Sequence, residues 1–189
     1  MTNKYRNKYR IQSTRLQNWD YGWNAAYFVT ICTNNREHYF GDIADGEMKL
    51  SEIGKMAKKC WLEIPQHFPF VKLESFVVMP NHIHGIIVID KIDDGRVDNV
   101  TVETQNFASL QQRQSTRKNK FGPQSKNLAS IIRGFKIGVT KNARQIHADF
   151  EWQSRFHDHI IRNEKSFNLI SKYIINNPND WEKDKFYNE

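Results

Sequence analysis

Apolar residues recur along this chain in two rhythms, and turn-forming residues mark where one gives way to the other. Residues 26–33 (AYFVTICT) are rich in β-branched and aromatic side chains and predict a strand. Asn34, Asn35 and the stretch 41–46, with a glycine at each end, interrupt it. Ser51 then stands where a helix cap belongs. Met56, Ala57, Cys60, Trp61 and Ile64 follow at three- and four-residue spacing, and Pro65 closes the run. Residues 71–79 predict a second strand and residues 82–89 a third. Pro80-Asn81 between them is turn chemistry, so the two are expected to form a hairpin. Residues 91–126 are polar, carry Gly95, Gly122 and Pro123, and show no period. They are expected to be a mobile insertion. Helical spacing returns over 128–146 through Leu128, Ile131, Ile132, Phe135 and Val139. A short fourth strand is expected at 156–162. A last helix follows at 164–176, with Phe167, Ile170, Tyr173 and Ile174 on one stripe, and Asn177-Pro178 stops it.

The order is β-α-β-β-α-β with an extra C-terminal helix. This is an α+β chain of the split βαβ, ferredoxin-like kind, with an antiparallel sheet. That architecture hosts many chemistries, so function has to be read from particular residues. A length of 189 residues suits one domain across the whole chain, with residues 1–25 as an arm. No apolar run approaches the roughly 20 residues of a membrane span. Residues 1–15 lack the apolar stretch of a secretory signal. Cys32 and Cys60 make neither a disulfide framework nor a zinc ribbon, and a reducing, cytoplasmic location is expected.

Charge narrows the choice of partner. The formal net charge is +7 and the pI about 9.4, and the cations are segregated. Residues 1–19 carry Lys4, Arg6, Lys8, Arg10 and Arg15 and no acid. Residues 104–148 carry Arg133, Lys136 and seven further cations, again with no acid. Two such segments suit contact with phosphates, although a solvated loop and helix face would look the same.

The candidate chemistry lies in two places. His82 and His84 are two apart on an expected strand, so their side chains leave one face and could share a divalent cation. Tyr173 and Asn177 are four apart, hence on one face at the end of the last helix. A tyrosine hydroxyl can act as a nucleophile and an amide oxygen as a metal ligand. Taken separately, each pair also reads as ordinary packing: Tyr173 as a core aromatic, Asn177 as a helix end before Pro178.

Together the motifs resemble a family. Met79-Pro80-Asn81-His82-Ile83-His84, Trp152-Gln153, Phe156-His157-Asp158-His159-Ile160-Ile161-Arg162 and Tyr173-Ile174-Ile175-Asn176-Asn177-Pro178 occur in the order seen in the REP-associated tyrosine transposases. These are relatives of the single-tyrosine HUH insertion-sequence enzymes. The resemblance implies that His82 and His84 are metal ligands with Asn177 as the third, and that Tyr173 is the nucleophile. Mg²⁺ or Mn²⁺ would be the cofactor. The products would be a 5′-phosphotyrosine and a free 3′-hydroxyl, with no nucleotide cofactor because the covalent link keeps the phosphodiester energy. Single-stranded or hairpin DNA is the implied partner, and a monomer the implied state. Lys4, Arg6, Lys8 and Arg10 resemble the family's DNA-contacting arm, with Arg133 and Lys136 as backbone contacts on the second long helix. Trp19, Tyr21 and Trp23 could stack on bases or pack beside the first strand. His159 would be structural or lie behind the ligands. The competing reading is a catalytically silent, domesticated hairpin-DNA-binding protein.

Overall fold

The computed structural model describes residue 16, residues 19–91 and 125–187, and the backbone of residues 4–5 and 8–9. Two short strands, β1 (Lys4–Tyr5) and β2 (Lys8–Tyr9), pair antiparallel ahead of the main fold. The expected insertion at 91–126 lies almost wholly outside the described residues, as do the side chains of the expected DNA arm.

The central sheet contains β3 (Ala25–Cys32), β6 (Val71–Val78), β7 (His82–Ile89) and β8 (His157–Ile161) in the order β6-β7-β3-β8, every neighbour antiparallel. This is the ferredoxin-like order expected from the element sequence. One hairpin was not expected. β4 (Gly41–Ala44) and β5 (Glu47–Leu50) pair across a turn in which Asp45 and Gly46 both have positive φ. Four-residue strands with half-exposed faces leave too short an alternation to stand out from a loop.

Helices α1 (Glu52–Leu62) and α3 (Leu128–Ile146) pack together on one face of the sheet. Both begin where the sequence supplies a cap. The Ser51 hydroxyl accepts from Gly54 N, and Asn127 and Ser130 form a reciprocal capping box. Between α1 and β6 the chain turns through the single-turn α2 (Ile64–His67), with Pro65 in its first turn.

Two layers of apolar side chains follow from the alternation of the strands. Val29, Ile31, Ile83, Ile87 and Ile89 meet Trp61, Ile131, Phe135 and Val139 in the main core. Gly85 sits on β7 where a Cβ would lie 2.3 Å from the Trp61 ring. The glycine that follows His84 is therefore required by the close approach of an indole to the strand. The opposite face carries Ala26, Ile86 and Ile161 under Ile174 of α4 (Glu164–Asn176), which lies across β6 and β7. Among the described residues no helix is long and apolar enough to cross a membrane.

Candidate metal and tyrosine site

His82 and His84 lie on the face that α4 covers. Cross-strand register sets Cys32 beside His82. It also puts Val77, His84, Thr30 and His157 in one row across all four strands. The two imidazoles have ring centroids 4.4 Å apart and are buried, at 0% and 1% exposure. α4 runs from its Asn163 cap to Asn176, and its last turn brings Tyr173 to them. The Tyr173 hydroxyl is 3.2 Å from His84 Nε2 and donates to Asp184 Oδ2 at 3.0 Å. Asn177 Nδ2 donates to the same carboxylate oxygen at 2.8 Å.

Asp184 was not singled out in the sequence. It follows a short 3-10 turn, Trp181–Lys183, that folds back over the site. Trp181 and Phe186 from this segment pack with Met79 and Cys32, and the Phe186 ring lies 4.7 Å from that of His82. Asp184 Oδ1 accepts from Phe186 N, which fixes the carboxylate. In the sequence, Asp184 is one acid in a run of charged residues beyond the last helix. Neither periodicity nor spacing ties it to His82.

The donor chemistry fits a divalent cation. Among the described residues, His82, His84 and Asp184 can each offer a ligand atom with all three atoms within 4.8 Å of one another. Two buried acceptors that face no hydrogen-bond partner, His82 Nε2 and Asn177 Oδ1, add to the case. Burial pushes both imidazoles down. His82 falls well below the usual histidine range, with repulsion from His84, Arg36 and Lys185 in the same direction. His84 falls to about 3; Asp184 opposes the shift, while Lys185 and His157 add to it. Neutral imidazoles are the form that binds metal. Tyr173 moves the other way. Burial, then the charge and hydrogen bond of Asp184, hold the proton on the phenol, and the Asn177 hydrogen bond offsets only part of this.

The chain is 40% identical over 189 residues to an uncharacterized protein of Haemophilus influenzae, covering 99% of each. The chain belongs to that protein's family. No family model matches it. In fold, this family member matches the structure of a REP-associated tyrosine transposase bound to a REP hairpin. The TM-score is 0.57 and the identity 20%, over 92% of this chain and 77% of that one. The α+β, ferredoxin-like fold expected from the sequence is thus the fold observed.

The other expected contacts of this family member fall in different places. Arg133 stands exposed on α3, on the side of the sheet away from the histidines. It lines an open groove of about 670 Å³ with Ile137, Lys141, Arg144 and Arg155. Lys136, expected as a phosphate contact, is put to a different use. Its ammonium donates to the carbonyls of Gln153 and Arg155 and sits over the Trp152 ring. Burial lowers its pKa to about 8. It ties α3 to the chain entering β8. Trp19 and Tyr21 pack against the main core, and Trp19 Nε1 donates to the Tyr27 hydroxyl. Their side chains therefore support β3, the packing alternative. His159 is exposed beside Phe28 on the histidine face and stands outside the ligand cluster.

Proposed function

We propose that this chain is a single-tyrosine HUH transposase of the REP-associated kind, a metal-dependent nuclease and strand transferase acting on single-stranded or hairpin DNA. The observation that carries the reading is the approach of the Tyr173 hydroxyl to His84, 3.2 Å away on another element of the same chain. A core tyrosine needs no such partner. A phenol placed beside paired, neutral imidazoles is arranged for attack on a phosphate. The motif order and the fold of the REP-hairpin-bound transposase point the same way.

His82 and His84 would hold the ion, with Asp184 or Asn177 completing the protein ligands. Mg²⁺ or Mn²⁺ bound there supplies positive charge against the phosphate oxygens and the attacking phenolate. The chain's own residues do the rest. The Tyr173 oxygen bonds to phosphorus, and the bond from phosphorus to the 3′-oxygen breaks. The phenolic proton passes to Asp184, the acceptor it already faces, and the leaving oxygen takes a proton from water. A 5′-phosphotyrosine and a 3′-hydroxyl result. Phe186 and Asp184 cover the histidines, so the 181–187 segment has to shift for a phosphate to enter.

The direct test is incubation with Mn²⁺ and single-stranded hairpin DNA from the flanks of the chain's own gene. A covalent protein–DNA band on a denaturing gel is expected. DNA binding without such a band would instead support the silent, hairpin-binding reading.

Two further outcomes are expected. The α3 groove, with Arg133, Lys141, Arg144 and Arg155 and, among the described residues, no acid in its lining, suits a nucleic-acid backbone. Replacing Arg133 and Lys141 by alanine should weaken DNA binding and lower the slope of log K against log salt by roughly 2, about one for each phosphate that is no longer neutralised. An unchanged slope would remove this face from the interface. The basic arm of Lys4, Arg6, Lys8 and Arg10 is tested in the same way. Because Tyr173 reaches its own His84, the enzyme is expected to work as a monomer. Mixing Tyr173→Phe and His82→Ala chains should then leave cleavage absent, and restored cleavage would mean that α4 is exchanged between subunits.

A further inference from the structure

We infer that Asn81 is a positioning residue that locks His82 as the Nδ1–H tautomer, so that Nε2 presents its lone pair to the site. The inference rests on the metal-site reading for its purpose, but its geometry stands alone. Asn81 is fully buried in the turn between β6 and β7. Its backbone carbonyl accepts from Thr33 N at 2.9 Å and from the Thr33 hydroxyl at 3.0 Å, so the turn is tied to the end of β3. Its side-chain amide is oriented by what lies on either side. Nδ2 donates to the Phe186 carbonyl at 2.9 Å, and a carbonyl can only accept. Oδ1 is therefore the end that faces His82, 2.8 Å from Nδ1. An amide oxygen carries no proton, so Nδ1 must carry one, and in a neutral imidazole Nε2 is then left as the acceptor. Nε2 is the buried atom without a partner, and it faces the ligand cluster.

His84 is held differently. Its Nδ1 lies 2.9 Å from the Thr30 hydroxyl, which can donate or accept, so that hydrogen bond permits either tautomer. The two ligands therefore differ. His82 is fixed with its lone pair on the site, whereas His84 can carry its proton on either nitrogen, including the one beside the Tyr173 oxygen. Asn81 also joins this lock to the covering segment, since the same amide holds the Phe186 carbonyl.

Two variants of the full-length protein separate these roles. Asn81→Ala removes both hydrogen bonds of the amide. Asn81→Asp keeps an acceptor for His82 Nδ1–H and loses the donor to Phe186. Mn²⁺ affinity is read from the EPR signal of the free ion, and the His82 tautomer from ¹⁵N-histidine NMR of the metal-free protein. Asn81→Ala should weaken Mn²⁺ binding by about 10- to 100-fold, the usual effect of losing the partner behind a histidine ligand. Asn81→Asp should stay within about threefold of the parent on the same ground, although its thermal midpoint should fall. The parent should show His82 protonated at Nδ1, with Asn81→Asp alike and Asn81→Ala mixed. Affinity that is unchanged in Asn81→Ala, or lost equally in both variants, would overturn the inference. So would a parent His82 protonated at Nε2. A parent that binds no Mn²⁺ would sink the metal-site reading, and the tautomer measurement would still decide the role of Asn81.

Discussion

Tyr173→Phe is expected to abolish the covalent protein–DNA product, a loss of at least about a thousandfold, while hairpin binding stays close to that of the parent. The change removes one oxygen atom. That oxygen is the atom which would bond to phosphorus, and neither neighbour could replace it, since His84 would be held as a ligand and Asp184 would be the acceptor of the phenolic proton. The aromatic ring remains, so the edge-on packing with Phe28 at 6.2 Å is kept. The cost to folding is small, because a hydrogen bond from a side chain that is 42% exposed contributes about 1 kcal/mol. A normal melting curve with cleavage lost would assign the effect to chemistry. Equal cleavage by Tyr173→Phe and the parent would remove Tyr173 as nucleophile and leave a different hydrolytic reading of the same histidines.

What the sequence revealed, and what it hid, follows from distance along the chain. The long helices were legible because their caps and apolar stripes are local: α3 and α4 have the expected bounds, 128–146 and 164–176. The strand carrying the histidines was legible to the residue, since Pro80-Asn81 marks its start and the alternation places His82 and His84 together. The helix 51–64 resolved into α1 and α2 because Pro65 permits a new first turn as readily as it ends an old one. The β4–β5 hairpin was hidden by its shortness. Asp184 was hidden for another reason. Its role exists only because the chain after Pro178 folds back through Trp181 and Phe186, a tertiary event without periodicity. The fate of Lys136 was hidden likewise. A lysine on a basic helix reads as a surface charge until the carbonyls of Gln153 and Arg155 are brought up to it.

The same burial that readies the histidines should make the metal-free protein acid-sensitive. Folded His84 has a pKa near 3 and His82 lies well below its usual range, whereas both would titrate near 6.5 in the unfolded chain. Between those limits the unfolded state binds more protons, so stability rises with pH. The contribution is fully present above about pH 6.5 and is lost as pH falls towards the folded values. From pH 7.5 to 5 this amounts to about 2 kcal/mol for His84, and His82 adds in the same direction. For a chain of this size, the His84 share alone should lower the melting midpoint by about 5 °C. His157, whose pKa is also lowered by burial, adds in the same direction. The measurement is thermal unfolding in EDTA from pH 7.5 to 5 for the parent and for a chain with His82→Gln and His84→Gln. The parent should lose its midpoint steeply and the double variant should be much flatter. A parent whose midpoint holds steady down to pH 5 would mean that the imidazoles are solvated and the site open, contrary to their burial under Phe186 and α4. Saturating Mn²⁺ at pH 7.5 should raise the parent's midpoint and leave the double variant's unchanged, because only a ligand that binds the folded site shifts the equilibrium. Because burial keeps both imidazoles neutral in the folded chain far below their usual range, that gain should persist towards pH 5.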